Sequence, residues 1–75
     1  MRIRLRYFAT LRERMGCSVA DAEVPEGSTA AQVYHEVVKL PGLPVGYAVN
    51  EQIVPGSTVV MEGDEVAFLP PLGGG

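Results

Sequence analysis

The residues of this sequence that are best placed for chemistry are the glycines at its C-terminal end, in FLPPLGGG. Glycine loses more conformational freedom on ordering than any other residue, so a purely structural role at a chain end is unfavourable. We predict that Gly75 carries the reacting group, its own carboxylate. Gly73 and Gly74 have no side chains, so they would let that carboxylate thread a narrow channel. At about 3.3 Å per residue, positions 70–75 reach roughly 20 Å, far enough to enter a partner protein.

The predicted chemistry of this end is activation of a carboxylate. A free carboxylate is a poor electrophile, but ATP can convert it into an acyl-adenylate. A sulfur or nitrogen nucleophile can then displace AMP, and a terminal glycine leaves the carbonyl sterically open to that attack.

Other reactive side chains are few and isolated. Cys17 shares a predicted strand face with Asp21 and Glu23, and acidic neighbours disfavour a reactive thiolate. We interpret Cys17 as inert, with a persulfide carrier as the alternative. His35 stands in a predicted helix without metal-ligand spacing, and EGDE, at positions 62–65, is interpreted as a polar turn. The sequence shows no phosphate loop, catalytic triad or metal cluster, so we expect no metal and no catalytic site of its own.

Composition narrows the class of protein. Its 75 residues make one domain, and 47% hydrophobic with 20% charged residues is typical of globular proteins. The net charge of −3 argues against a dedicated nucleic-acid binder, which carries a basic excess. No stretch approaches the roughly 20 apolar residues that span a bilayer, and RIRLRYF has no signal-peptide pattern. One cysteine cannot form an internal disulfide, so we expect a cytoplasmic protein.

The first third of the chain predicts a strand, a short helix and a second strand. RIRLRYF alternates arginines with apolar residues, the pattern of a half-buried strand. FATLRERMG has Phe8, Leu11 and Met15 at helical spacing, with Gly16 as a stop. CSVADAEVP is a weaker strand, because its apolar face consists of two alanines and one valine.

The main helix is predicted in EGSTAAQVYHEVVKLPG. Ser28 or Thr29 can cap it, and Thr29 with Gln32 has the spacing of a capping box. The dipeptide Pro-Gly is expected to end it. The apolar stripe expected to face the sheet consists of Ala30, Val33, Val37 and Leu40.

The last third predicts the remaining strands. YAVN and QIV flank the turn Asn50-Glu51, and GDEVAFL is apolar on both faces, as in a central strand. We therefore predict an α+β fold, a mixed sheet of four to five strands with one main helix across a face and a short second helix. With the first and last strands parallel and adjacent in its middle, this is a ubiquitin-like β-grasp. We assign residues 1–69 to this domain and 70–75 to a flexible tail.

Four stretches of the chain resemble the β-grasp sulfur carriers, and within that family the small-subunit type of molybdopterin synthase. They are RYFATLRERMG, AVNEQIV, GDEVAFLPP and the final Gly-Gly, and in sequence order they span nearly the whole chain. Gly-Gly alone would be a weak signal. GDEVAF followed by Pro-Pro, two variable residues and a terminal Gly-Gly is a specific one.

The resemblance implies a reaction cycle. An adenylating enzyme would activate the Gly75 carboxylate with ATP, and a sulfurtransferase system would convert it to a thiocarboxylate. The carrier would then insert its tail into the large, catalytic subunit of molybdopterin synthase and donate sulfur for the molybdopterin dithiolene. Gly75 would carry the reacting group, Gly74 would provide clearance, and the carrier would bind no cofactor itself.

A partner that binds the tail must also bind the folded domain. A contiguous exposed apolar surface commonly marks such a binding site. We predict a partner-binding patch beside the tail exit, formed by Phe8, Leu69 and Leu72 with Arg12 at its rim. Gly73 would enter the partner together with the last two glycines.

Three other functions stay open. The same tail would suit a sulfur carrier for thiamine thiazole synthesis or tRNA thiolation, although FATLRE and the Pro-Pro pair favour molybdopterin. A ubiquitin-like modifier joined to lysines is a second alternative. A plain interaction domain with a disordered tail is the third.

Overall fold

The computed structural model describes residues 1–39 and 45–70 as one five-stranded sheet with two helices. In chain order the elements are β1 (Arg2–Tyr7), α1 (Ala9–Met15), β2 (Val19–Glu23), α2 (Ala30–Val33) continued by a π-helical segment (Tyr34–Val38), β3 (Gly46–Val49), β4 (Gln52–Val54) and β5 (Glu65–Leu69). The strand order is β2-β1-β5-β3-β4. β1 and β5 are parallel, and the other neighbours are antiparallel. The first and last strands thus lie side by side in the centre, which confirms the β-grasp prediction.

The core lies between one face of the sheet and the main helix. β1 and β5 line it with alternate residues, each at most 2% exposed: Ile3, Leu5, Tyr7, Val66 and Phe68. The Phe68 ring is surrounded by three tyrosine rings, whose centroids lie between 5.3 and 6.2 Å from its own. β5 buries residues on both faces, as expected for a strand with two neighbours.

Helix α1 begins later than its sequence pattern suggests. Phe8 was expected inside the helix, but it stands at the N-cap position in extended conformation, without a side-chain capping bond. Leu11 is buried and Met15 is half-buried, as expected. Gly16 ends the helix in the left-handed region, with φ +77, and its N–H donates to the Arg12 carbonyl at 3.0 Å.

The main helix has the predicted start but a different buried stripe. Thr29 and Gln32 form the capping box, since each side chain accepts a hydrogen bond from the other's backbone N–H. Tyr34 and Val38 are buried, whereas the expected Val37 is only half-buried.

The change of stripe follows from the π-helical winding. A π-helix bonds each residue to the fifth along the chain, so each residue turns through a smaller angle and the i, i+4 positions face the sheet. The segment ends at Val38, before the expected Pro-Gly, and Lys39 follows with φ +58. Leu40 and the Pro-Gly dipeptide lie outside the described residues.

The β3–β4 hairpin is closed by the predicted two-residue turn. Val49 pairs with Gln52, and Asn50 and Glu51 between them have φ of +51 and +70. Positive φ at both central positions is the requirement of a type I′ hairpin turn. In the part of the chain that the structure describes, no helix is long and apolar enough to cross a membrane.

Candidate functional site

The tail leaves the domain at the end of its central strand. β5 runs parallel to β1, with Phe68 opposite Tyr7, so Leu69 and Phe8 follow at the same edge of the sheet. Pro70 comes next and is exposed. The predicted reactive and tail residues, Leu72, Gly73, Gly74 and Gly75, lie outside the described residues. Their roles, and the division at residue 70, remain predictions.

The side of the sheet turned away from the main helix is named the open face. Strand alternation and the observed register assign its members on every strand. They are Arg2, Arg4 and Arg6 on β1, Val19, Asp21 and Glu23 on β2, Glu65, Ala67 and Leu69 on β5, Gly46 and Ala48 on β3, and Ile53 on β4.

The open face has an ionic half and an apolar half. On β1 and β2, Arg2 pairs with Glu23 at 3.4 Å and Arg4 with Asp21 at 3.7 Å, so these charges are neutralised within the chain. On β5, β3 and β4 the face is apolar apart from Glu65. It runs from Leu69 at the tail exit to Ile53 on the edge strand, whose side chain is 72% exposed. Ala48 and Ala67 within this half are buried, so the apolar surface that it offers to a partner comes from Ile53 and the half-buried Leu69.

The predicted partner-binding residues lie around this exit. Phe8 and Leu69 are both half-buried. The Arg6 guanidinium carbon lies 5.2 Å from the Phe8 ring centroid, within cation–π range. Arg12 is exposed on α1 and has no ion pair among the described residues. Its backbone N–H donates to the Phe8 carbonyl at 3.4 Å, which places Arg12 one helical turn from the patch.

Two open-face residues, Ile53 and Arg6, were not among the predicted partner-binding residues. Ile53 could have been found by pairing outward from the Asn50-Glu51 turn, which sets Ile53 opposite Ala48. Arg6 follows from alternation, but its cross-strand neighbours depend on how β1 pairs with β2 and β5. Pairing between strands that are distant in sequence is not encoded in any local pattern.

The isolated reactive side chains stay apart from this site. His35 is exposed, and its ring meets Tyr34 edge-on at 6.2 Å. Cys17 is exposed, as expected. Burial raises the pKa of Tyr7 above 10.0, with a smaller contribution from the nearby Cys17. Among residues 1–39 and 45–70, no group of three or more His, Cys, Asp or Glu side chains could hold a metal ion.

The EGDE stretch forms a turn, as predicted. The Asp64 carboxylate accepts hydrogen bonds from the Met61 N–H at 2.7 Å and from the Asn50 side-chain amide at 3.0 Å. Glu62 accepts one from the Arg2 N–H at 3.1 Å. The Asp64 and Glu62 carboxylates therefore stabilise the turn and its neighbouring segments through hydrogen bonds, and they do not form an acid–base pair.

Known proteins match the chain along nearly its full length. The model of the ThiS family matches residues 5–75. The molybdopterin synthase sulfur carrier subunit of Arabidopsis thaliana is 35% identical, and the alignment covers 97% of this chain and 82% of that protein. The protein of the same description in Mycobacterium tuberculosis is 34% identical, with 100% and 99% covered.

Two solved structures show the same fold. The crystal structure of SAMP1 from Haloferax volcanii has a TM-score of 0.80, 20% identity and full coverage of both chains. A chain of the protein–protein complex of subunits 1 and 2 of molybdopterin-converting factor from Helicobacter pylori has a TM-score of 0.65, 20% identity and full coverage of both chains.

Proposed function

Because this chain belongs to the ThiS family, we propose that it is the sulfur carrier subunit of a molybdopterin synthase. The observation that carries the proposal is the extent of the match. The family model covers β1 from Leu5, both helices, the other four strands and the glycine end. The two sulfur carrier subunits from a plant and a bacterium are similar to it over at least 97% of its length.

The group that reacts is the Gly75 carboxylate. An adenylating enzyme joins it to the AMP portion of ATP and releases pyrophosphate. A sulfide-level sulfur nucleophile, delivered by a sulfurtransferase system, then attacks the acyl carbonyl, so that AMP leaves and the end group becomes a thiocarboxylate. In the large subunit the thiocarboxylate sulfur replaces an oxygen substituent of the molybdopterin precursor, and water then cleaves the acyl–sulfur bond, which leaves the sulfur on the precursor and regenerates the Gly75 carboxylate. ATP is thus a substrate of the activating partner, and this chain binds no cofactor.

The fold supports delivery of such a tail. β5 is hydrogen-bonded on both sides and packed through Phe68, so the residue from which the tail departs is held by the most constrained part of the sheet. A rigid base lets a short tail place its end group accurately. Pro70 cannot donate to a sheet ladder, so the strand stops before it.

The large subunit docks on the apolar half of the open face. The Helicobacter pylori chain of like fold was solved in a complex of the two subunits of its converting factor, which supports a two-subunit assembly. Phe8 and Leu69 supply apolar contacts beside the tail exit, Ile53 supplies one on the edge strand β4, and Arg12 supplies a cation at the rim. The same surface presents the tail to the adenylating enzyme.

We place this work in the cytoplasm, where ATP-dependent activation takes place and a lone thiol remains reduced. Neither nucleic acid nor membrane is needed as a partner. The chain's own contribution is to bind, to carry sulfur and to release it, while the catalytic pockets belong to the partners.

Intact-mass analysis of the protein from its native cells tests the proposal. A carrier shows a C-terminal species in which sulfur replaces one oxygen, and that species disappears when the adenylating enzyme is absent. A branched peptide on a lysine of another protein would instead identify a ubiquitin-like modifier. Reconstitution with purified large subunit distinguishes pathways, because only a molybdopterin synthase subunit supports dithiolene formation. A carrier for thiamine thiazole or tRNA thiolation would be thiolated but inactive there.

A further inference from the structure

Arg6 occupies a different environment from the other two arginines of β1. The register puts Arg6 between Val19 on β2 and Ala67 on β5. Its guanidinium lies over the Phe8 ring. Arg4, two residues earlier on the same face, lies between Asp21 and Glu65. Each of these two arginines has one carboxylate at 3.7 Å, Asp21 for Arg4 and Glu65 for Arg6, but the register positions on both sides of Arg6 are apolar and its side chain is less exposed, at 39% against 60%.

The hydrogen-bonding capacity of Arg6 is largely unused. Its closest acidic contact is the Glu65 carboxylate, 3.7 Å from Nη1, which is beyond hydrogen-bond length. Within residues 1–39 and 45–70, its side chain makes no other polar contact. A guanidinium has five N–H donors. The Arg6 side chain is 39% exposed, so those donors are accessible to water in the free protein.

Docking of a partner would remove that water. Arg6 adjoins Phe8 and Ala67, and Leu69 lies two residues further along β5, so a partner that covers the tail exit also covers Arg6. A buried cation without a hydrogen-bonding acceptor is strongly unfavourable. Glu65 is the ion-pair partner of Arg6, but at 3.7 Å it accepts no hydrogen bond from the guanidinium, so it cannot meet this need alone.

We infer that Arg6 is a specificity-determining residue, and that the large subunit presents a carboxylate to its guanidinium. This inference rests on the proposed function. The carboxylate lies beside the apolar pocket that receives Phe8 and Leu69. It accepts two parallel hydrogen bonds from the guanidinium fork, the geometry in which arginine binds carboxylates most strongly. A partner that offers only an apolar surface at this point is rejected.

The experiment measures binding of the full chain to the large subunit of the same organism by titration calorimetry. It compares Arg6→Met with Arg4→Met, a matched control on the same strand, on the same face and at the same 3.7 Å from its own carboxylate. Met preserves much of the apolar stem and removes the charge. We expect Arg6→Met to weaken the complex at least about tenfold and Arg4→Met to change it less than about threefold.

Two further measurements separate recognition from folding. Affinity of the wild type should fall as salt rises from low to high concentration, and this dependence should be reduced in Arg6→Met but kept in Arg4→Met. Arg6→Lys should restore only part of the affinity, because an ammonium lacks the planar fork. Thermal melting of each free variant should match that of the wild type, since exposed ion pairs contribute little.

The result that overturns the inference is an Arg6→Met protein that binds the large subunit as tightly as the wild type, or more tightly. That outcome would mean that no acceptor faces Arg6. Failure of the proposed function would look different, because the wild-type chain itself would then not bind the large subunit.

Discussion

Asn50, in the β3–β4 turn, donates a hydrogen bond from Nδ2 to Oδ1 of Asp64 at 3.0 Å. It also accepts one from the Glu65 N–H at 3.0 Å, and its own N–H donates to the Glu65 carbonyl at 2.8 Å. The second Asp64 oxygen holds the Met61 N–H. Two turns that are far apart in sequence are thereby joined at the first residue of β5, the strand that leads to the tail.

Replacing Asn50 with glycine should destabilise the protein by about 1–2 kcal/mol. Glycine tolerates the left-handed conformation at position 50, so the change removes the two side-chain hydrogen bonds without adding backbone strain. Chemical denaturation should show a lower midpoint with an unchanged slope. A midpoint equal to that of the wild type would show that the Asn50–Asp64 link contributes nothing to stability.

Glu51→Gly, at the next position, should have the opposite effect. Glu51 has φ +70, a conformation that costs a residue with a side chain about 1–2 kcal/mol. Glycine pays no such penalty, although its freedom in the unfolded chain removes part of the gain. We expect a net rise of roughly 0.5–1 kcal/mol in the free energy of unfolding.

Glu51→Ala is the matched control for this change. It removes the carboxylate but keeps a side chain at positive φ. If Glu51→Ala stabilises the protein as much as Glu51→Gly does, the gain comes from the lost charge and the explanation by backbone conformation is wrong.

The local patterns of this sequence were strong enough to predict every strand. Alternation in β1 separated Ile3, Leu5 and Tyr7 from the arginines, and apolarity on both faces of β5 marked it as central. If the last strand is central and the main helix connects the first two strands to the last three, few sheet topologies are possible. The reactivity of the glycine tail could be predicted without any structure, because its chemistry depends on the end group and not on packing, and it stays a prediction.

Features that depend on tertiary contacts could not be predicted from the sequence. Tyr34 is buried because its ring meets Phe68 edge-on at 5.3 Å, and it is accommodated by π-helical winding that no periodicity rule anticipates. The special position of Arg6 likewise depends on Val19 and Ala67, which come beside it only through long-range strand pairing.

The buried tyrosines should make the fold sensitive to alkaline pH. Burial raises the pKa of Tyr7 above 10.0, with a smaller effect of Cys17, and burial followed by Tyr47 raises that of Tyr34. The folded state therefore retains these phenolic protons when the unfolded chain has lost them. Their contribution to stability is fully present below pH 10 and declines as pH rises from about 10 through the folded-state pKa values.

Denaturation measured from pH 8 to pH 11 should show this decline, and Tyr7→Phe should make it shallower because one of the two groups no longer titrates. The quantity to compare is the slope of the free energy of unfolding against pH. The absolute free energy of unfolding is not compared, because loss of the hydroxyl group also changes it. Equal slopes for Tyr7→Phe and the wild type above pH 10 would rule out a contribution from Tyr7.

A charge in the apolar half of the open face should block docking. Ile53→Asp puts a carboxylate on a side chain that is 72% exposed, so folding should be little affected. We expect at least about a tenfold loss of affinity for the large subunit. Met61→Asp is the control, because Met61 is also exposed, at 64%. Met61 precedes the turn before Glu65, where β5 begins, whereas the tail leaves from the other end of β5, at Leu69. Equal binding by both variants would place the interface elsewhere.

Deleting Gly75 should abolish sulfur transfer while fold and partner binding stay largely intact. The shortened chain still ends in glycine, so its end group is chemically similar and only its reach changes. One residue spans about 3.3 Å, and reacting atoms must approach within about 3–3.5 Å. A carboxylate that falls one residue short therefore misses the ATP phosphate in the adenylating enzyme and the acceptor in the large subunit.

Gly75→Ala is the matched control for reach, because it keeps the length and adds one methyl group beside the carbonyl. We expect a milder defect in thiocarboxylate formation than for the deletion, and melting temperatures equal to that of the wild type for both variants, since a chain end makes few contacts. The measurements are thermal melting, pull-down by the large subunit and mass analysis after incubation with the adenylating and sulfur-transfer enzymes. A deletion variant that is thiolated at the normal rate and supports dithiolene formation would show that the length of the tail does not control the reaction.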